Sequence, residues 1–474
     1  MHYKKIILFT AIASLVASFL LGYVLFFSKE KKFLANEPIE APKKQVEIYY
    51  IPVANYFSDL KKVTSGDIKK EQFIVAKKDL ENLTSLGVSQ EEAIVVDSYQ
   101  DLVSEVNKSK KIALIPWYEV SSNLKTLSFD DTYFWEADSL DNYGLKTLIE
   151  VEENSDFLEF DNKNLVKINF LGDVILSRYV GVQMSRYGYD YPWLKVREET
   201  AKADITFANL EAPLSDLYAS PPAGMNFISS TKNSKHLKAA GIDIVSVANN
   251  HSANFGYNVF KDSLNNLKNS EIGVCGGGLN EAEARKVKII EVSGLKFGFL
   301  CHSSIIGSLY AKNNSAGVPY LGIEPWYRND TESINKMIND IQAAKKEVDV
   351  VIFSPHWGVE YKHYPSDSQK IIAKKAIEAG ADIVIGTHPH VVQGSEFYKN
   401  KYITYSLGNF IFDQEWSTET KQGTMLSAYF YKDKNVASVL RPIEISNYAQ
   451  PRFVSGSIYS KIIATIRKNS VNLY

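Results

Sequence analysis

The chain has 474 residues, with 53 Lys and Arg against 55 Asp and Glu, for a formal net charge of −2 at pH 7. That balance excludes a basic surface built for nucleic acid, and no acidic tract marks a solvating tail. Two cysteines, Cys275 and Cys301, exclude a disulfide framework and a thiolate zinc site; they read as two small buried residues, with one bridge between them the minor alternative in an exported chain.

Residues 6–27, IILFTAIASLVASFLLGYVLFF, follow MHYKK and carry no charge. As a helix they are long enough to cross a bilayer, and no small-x-small cleavage site follows. They predict an uncleaved anchor, with residues 1–5 as a cytoplasmic tip and the bulk of the chain outside the cytoplasm, at the cell membrane. The flanking lysines are nearly balanced, Lys4 and Lys5 before against Lys29, Lys31 and Lys32 after. Residues 28–45 are charged and contain prolines, as a linker does.

From 46 to 155, short apolar runs alternate with helical spacing. VEIYYIPVA and KIALIPWYEV predict strands; DLENLTSLG and SYQDLVSEVNKS predict helices. The result is a small α/β domain without a histidine, to which no role attaches. The polar stretch EVEENSDFLEFDNKN then separates it from residues 165–450, where apolar strands end in polar clusters. VKINFLGD ends at Asp173, and ITFANLE at Asn209 and Glu211. IDIVSVANNH ends at Asn249, Asn250 and His251. VDVVIFSPHWGVE carries His356 and Glu360, DIVIGTHPH carries His388 and His390, and ITYSLGNF carries Asn409. VFKDSLNNLKNS and SDSQKIIAKKAIEAG predict helices between them. This alternation predicts a layered α/β domain, whose functional groups gather past the carboxyl ends of strands. Residues 451–474 remain as a C-terminal tail.

Six of the 8 histidines lie between 251 and 390. Asp, Glu, Asn and His without sulfur suit manganese, iron or zinc. His388 and His390 flank a proline that stiffens the loop, and on an extended segment they share a face, so both can reach one cavity. Each piece alone has an ordinary structural reading. Gly-Asp can be a turn, Asn249 and Asn250 a helix cap, and His356 beside Trp357 a packed core histidine. His302 and His363 are read in that way. Six such clusters at strand exits of one domain are hard to explain as accidents.

The series GDVILSR, FANLEAPLS, SVANNHSANFG, FSPHWGVEY, GADIVIGTHPHVVQGSEFY and YSLGNFIFD resembles the CapA family of capsule or poly-γ-glutamate synthesis proteins. The resemblance implies a calcineurin-like metallophosphatase fold: two packed β-sheets with helices on both outer faces, a four-layer α-β-β-α sandwich. It implies two divalent metal ions held by Asp173, Glu211 as the bridging carboxylate, Asn250, His356, His388 and His390. His251 is the implied proton donor to a leaving oxygen, and Asn209, Asn249 and Arg178 the implied contacts to substrate. The implied activity is a metal-dependent phosphoesterase in the synthesis or export of a cell-envelope polymer. Its partners would be the cell membrane, the polymer or a phosphorylated precursor, and a polymer synthase complex, with no nucleic acid. The alternative is a non-catalytic assembly factor that binds metal or anionic polymer. Two positions depart from the pattern. Asp173-Val174-Ile175 stands where metallophosphatases have Asp-x-His. Asn254 stands where the family has an aspartate, which weakens support for His251 or a helix cap. Coordination needs neutral imidazole, so metal affinity is expected to fall below roughly pH 6.5.

Overall fold

The computed structural model describes residues 42–153, 155, 159–221 and 223–470. The predicted tip and anchor, 1–5 and 6–27, lie outside the described residues. Among the described residues no helix is long and apolar enough to cross a membrane.

The protein is a mixed α/β structure. Its first sheet runs in the order Ile94–Val96, Ile74–Ala76, Ala113–Pro116, Lys43–Asn55, Leu124–Thr126, with Lys146–Glu152 also paired to Lys43–Asn55. The run Tyr49–Ala54 is buried without interruption, as befits a strand covered on both faces. Helix Tyr99–Lys108 starts at Ser98, whose Oγ accepts from Asp101 N, and turns Leu102 and Val106 inward, one helical turn apart. Two boundaries differ from expectation. The first strand begins at Lys43, inside the expected linker, and KTLIEVE forms a strand where the polar break was expected to begin. That strand is half-exposed and charged, so it carries no apolar run to announce it.

Among the described residues, 42–47, 148–153, 155 and 159 make a small unit of their own, with ion pairs Lys43–Glu150 and Lys44–Glu159. Residues 48–147 and 160–470 form one compact unit. Within it, Glu136 accepts from Lys167 Nζ at 2.7 Å, from Arg441 Nη2 at 2.6 Å and from the Tyr429 hydroxyl. Trp117 packs edge-on against Tyr431 at 4.8 Å. Burial raises the Glu136 carboxyl, but Arg441 and Lys167 outweigh it and hold its pKa below the usual 4.5. A carboxylate depressed by folding stabilises the fold above its unfolded pKa, and the gain is lost as pH falls through the folded value. Glu136→Gln is therefore expected to cost about 1–3 kcal/mol at pH 7, where removing it strands two partly buried cations. The deficit should shrink as pH falls through 4.5 and below. Urea unfolding at both pH values checks this; a deficit independent of pH would refute the charge-based account.

Beyond residue 164 two further sheets form. One runs Gly273–Cys275, Ile244–Ser246, Ile205–Leu210, Leu165–Val174, Gln422–Tyr431, Lys434–Ser446, Gln450–Phe453, with Asn409–Ile411 also on Leu165–Val174. The other runs Lys288–Val292, Leu295–Ser303, Val350–His356, Ile383–Ile385, Lys401–Thr404, Ser395–Tyr398. Period-two alternation sorts the second sheet's side chains. Phe297, Phe299, Cys301, Val350, Ile352, Ile383 and Ile385 join the core shared with the first of these sheets. Leu300, Val351, Phe353 and Val384 face away, onto Met337 and Ile341 of helix Thr331–Ala344 and Ile372 and Ala376 of helix Asp367–Ala379. Phe207 and Phe299 stack across the shared core at 5.8 Å. Helix Asp367–Ala379 opens with a capping box, Ser366 with Gln369, and stops at Gly380, which adopts φ +119°.

Two further expectations are corrected. Cys275 and Cys301 are bonded to each other, so they are not two independent buried residues; the bond joins the edge strand of one sheet to the other sheet. Residues 451–470 are not a tail: helix Gly456–Lys468 places Ile462, Ile463 and Ile466 in the core.

Candidate metal centre

Strand register places the site. In the first sheet, Asp173 lies beside Asn209 on one parallel neighbour and Asn409 on the other. Glu211 and Asn249–His251 follow just past the strand exits. In the second sheet His356 ends its strand beside Thr387, which opens the loop to His388 and His390. Two glycines permit this convergence. A Cβ on Gly172 would lie 1.9 Å from Gly408 O, and one on Gly386 would lie 2.0 Å from Tyr405 O. Backbone contact, rather than a turn, fixes the Gly-Asp pair.

Glu211 sits at the centre. One of its carboxylate oxygens is 3.7 Å from His356 Nε2, 3.9 Å from His390 Nε2 and 4.0 Å from His251 Nε2. Both Glu211 oxygens and both His388 ring nitrogens are buried without a hydrogen-bond partner. Isolated polar groups of this kind cost several kcal/mol when buried, and far more when charged. A cation bound among them removes the cost. Ligand atoms of Glu211, His388 and His390 lie within 4.8 Å of one another, as do those of Asp173, Glu211 and His356. Glu211 belongs to both sets. The neighbours hold the donors in place. Asn409 Oδ1 lies 2.9 Å from His390 Nδ1, which assigns the proton there and leaves Nε2 to face Glu211. His356 Nε2 lies 2.9 Å from Asn250 Oδ1, and its Nδ1 3.1 Å from Thr387 Oγ1. The backbone N–H of His388 donates to Asp173. These residues fit a metal centre, on their own burial and donor chemistry.

The electrostatics agree. Burial, and then Asp173, push the Glu211 carboxyl well above its usual range. Burial pulls His390 down, but Glu211 and Asp173 outweigh it and raise it to about 9. Both groups thus tend to hold protons where a cation would otherwise sit. Burial lowers His356 and His388, reinforced by the neighbouring imidazoles. Burial also lowers His251, to about 4.

His251 keeps its support. Asn254 Oδ1 lies 2.8 Å from His251 Nδ1 and also accepts from Phe227 N at 2.8 Å. Asparagine here retains the acceptor of the aspartate expected by resemblance and loses only its charge. Phe227 stacks on the His251 ring at 3.9 Å, and the Arg178 guanidinium lies over the other partner of that column, 4.4 Å from the Phe227 ring. Arg178 Nη1 donates to Gly224 O at 2.9 Å, and Nη2 pairs with Asp413.

Asp173, Glu211, Asn250, His251, His356, His388 and His390 thus converge. Asn209 and Asn249, expected at the substrate, are fully buried behind them. Asn209 Nδ2 donates to Asp173 at 2.7 Å, and Asn249 Nδ2 to Leu210 O and Asn209 Oδ1. Their amides orient the ligands. His302 lies near Asp340, and His363 Nδ1 near Val392 O; neither joins the cage. Thr387 and Asp413 were missed in sequence, although Asp413 closes the quoted run GNFIFD. Arg178, Tyr361, His388 and His390 have φ of +51°, +62°, +99° and +58°. Such backbone costs about 1–3 kcal/mol per residue and persists where the surroundings impose it.

Strand exits from two sheets, converging on buried imidazoles and carboxylates without sulfur, define an α/β protein built around a metal-type donor cage. The chain belongs to the family described as bacterial capsule synthesis protein PGA_cap, whose model matches residues 167–414. It is similar to a capsule biosynthesis protein CapA from Bacillus anthracis, 32% identical over 284 residues, covering 58% of this chain and 66% of that one. It is also similar to a PGA biosynthesis protein CapA from Bacillus subtilis (strain 168), 29% identical over 312 residues, covering 65% of this chain and 79% of that one. Among solved structures, a 5'-nucleotidase from Candida albicans SC5314 covers 64% of this chain and 58% of its own at 13% identity, with a TM-score of 0.34, too distant to carry an argument.

Proposed function

We propose that this protein is a metal-dependent phosphoesterase of the CapA type, acting in the synthesis or export of a cell-envelope polymer such as poly-γ-glutamate. The observation that carries the reading is the central one: a buried glutamate and a buried histidine, neither side chain with a hydrogen-bond partner, among further His and Asp ligands. The arrangement of two sheets around a shared core, with helices outside, supports a calcineurin-like four-layer sandwich. Two donor sets sharing Glu211 support two divalent cations, of manganese, iron or zinc. Such cations, when bound, polarise a phosphoryl oxygen and acidify water. The family and its relatives support the polymer context. The uncharged run 6–27 supports an anchor, and the buried disulfide supports an oxidising, extracytoplasmic location. The membrane, the polymer or a phosphorylated precursor, and a synthase complex are the proposed partners.

The chain's own residues have distinct tasks. Asp173, Glu211, Asn250, His356, His388 and His390 would hold the cations. Asn209, Asn409 and Thr387 keep those ligands oriented. His251 is neutral in the substrate-free cage, with Nε2 facing inward. A phosphoryl dianion beside it would raise its pKa and let Nε2 deliver a proton to the leaving oxygen. Arg178, fixed by Asp413 and Gly224, brings positive charge to the edge of the cage.

The test uses the full chain. Metal content is measured before and after chelation, and phosphomonoesters, phosphodiesters and polyglutamate are screened with added manganese. The expected result is two metals per chain and phosphoester hydrolysis that chelation abolishes. Asn254→Ala should lower kcat by ~10-fold with metal content unchanged, because His251 loses its orienting acceptor. A chain that takes up no metal sinks the reading. One observation favours a non-catalytic assembly factor: Ile175 is fully buried in the position of the imidazole in the Asp-x-His pattern, so the cage lacks one ligand. Full metal loading without turnover of any ester would select that alternative.

A further inference from the structure

Beside the cage lies a cleft of about 410 Å³ lined by Arg178, Tyr179, Asp413, Glu415, Trp416 and Tyr448. Its three aromatic rings come from distant parts of the chain, and all are exposed: Tyr179 by 48%, Trp416 by 64% and Tyr448 by 37%. They are nevertheless held. Asp413 accepts from Tyr179 N at 3.1 Å while pairing with Arg178, and Glu415 accepts from Tyr448 N at 2.5 Å. Trp416 follows on the same short segment. Tyr179 and Tyr448 pack at 5.3 Å, tilted by 31°. Trp416 meets Tyr361 edge-on at 6.1 Å, and Tyr361 in turn lies 6.2 Å from the His390 ring. Arg178, Tyr361 and Tyr448 all have left-handed backbone, with φ of +51°, +62° and +62°. Left-handed backbone under one of the three rings, Tyr448, and under the Arg178 beside them is the kind of strain that clusters at ligand sites.

The lining chemistry narrows that ligand. Tilted, open aromatic faces offer apolar contact without forming the parallel slot that a flat base needs. Both oxygens of Asp413 are taken by Arg178 and Tyr179 N, so the Glu415 carboxylate is left to accept hydrogen bonds from hydroxyls. Its charge repels a second phosphate or a run of carboxylates, so a polyanion fits poorly. Arg178, shared with the cage, has a buried Nε without an acceptor. We infer that the cleft is a sugar subsite: the pyranose of a glycosyl phosphate lies against Trp416 and Tyr448, with its hydroxyls toward Glu415 and its phosphoryl group toward Arg178 and the cage. This rests on the phosphoester reading of the cage and adds the class of group the phosphate carries.

Binding to the chelated full chain separates the two. Calorimetric titration compares N-acetylglucosamine 1-phosphate, inorganic phosphate and adenosine monophosphate. The sugar phosphate should bind at least tenfold more tightly than inorganic phosphate. Trp416→Ala and Tyr448→Ala should each remove that advantage, while Tyr364→Ala, an exposed aromatic outside this cleft, leaves it intact. Melting temperatures of the exposed-ring variants should match the wild type. Equal binding of sugar phosphate and phosphate overturns the inference, as does indifference to both cleft variants. Preferential binding of adenosine monophosphate through the same rings overturns it in favour of a base-binding slot. If phosphoesters are hydrolysed but no sugar preference exists, the subsite alone fails. If the sugar preference exists but no ester is ever cleaved, the phosphoesterase reading alone fails.

Discussion

His388→Ala and His390→Ala are each expected to strip metal from the protein while leaving it folded. A direct ligand lost from a preformed cage should weaken affinity by more than about 100-fold, beyond the cost of losing a supporting hydrogen bond. Stability should behave differently from that of an ordinary buried histidine. Neither nitrogen of His388 has a protein partner, so in the chelated protein its removal breaks no hydrogen bond. The chelated variant should therefore melt like chelated wild type, and only the metal-loaded wild type should stand above both. His363→Ala, whose Nδ1 meets only Val392 O, should keep its metal. The pH window also moves from the one read in sequence. With His390 raised to about 9 and Glu211 raised beside it, an entering cation must displace protons. Affinity should keep rising with pH through neutrality toward 9, not level off above 6.5. Elemental analysis and metal titration at several pH values measure all of this. Variants that retain full metal and lose only stability would place the metal elsewhere and remove the centre of the proposed chemistry.

Replacing both Cys275 and Cys301 by alanine is expected to cost about 3–4 kcal/mol, from the chain entropy released when a bond spanning a sequence separation of 26 is lost. The loss should appear as a lower denaturant midpoint, with wild-type protein showing no free thiol when unfolded without reductant. The consequence reaches the site, because Val247 N donates to Cys275 O at 3.0 Å just before Asn249–His251. A double variant as stable as wild type, or free thiols in the oxidised protein, would show that the bond does not form.

The cage was legible in the sequence because its members sit at the ends of apolar strands, where the core has no use for imidazole or carboxylate. ITFANLE and DIVIGTHPH needed no three-dimensional information to stand out. What could not be read were relations between distant residues. Nothing local says that Cys275 meets Cys301, because pairing depends on how two sheets face each other. Asn254 looked like a weakened support because its type was visible and its 2.8 Å contact to His251 was not. Arg178 was expected at the substrate, yet its pairing with Asp413, across most of the domain, decides what it can reach. The docking of Glu136 onto Lys167 and Arg441 was hidden for the same reason, behind a polar break that looked like a boundary.

Gly172 and Gly386 touch no ligand and carry no chemistry, yet each admits nothing larger than hydrogen against a facing carbonyl. In a saturation library scored for growth or activity, both positions would tolerate as little change as Asp173 or His388. A tolerance map alone would then count them among the reacting groups, and would draw the site one residue too wide on each sheet. Intolerance there reflects the closeness of two backbones: scored for folding rather than activity, it would persist in a variant whose cage had been emptied, whereas the intolerance of the ligands themselves would relax.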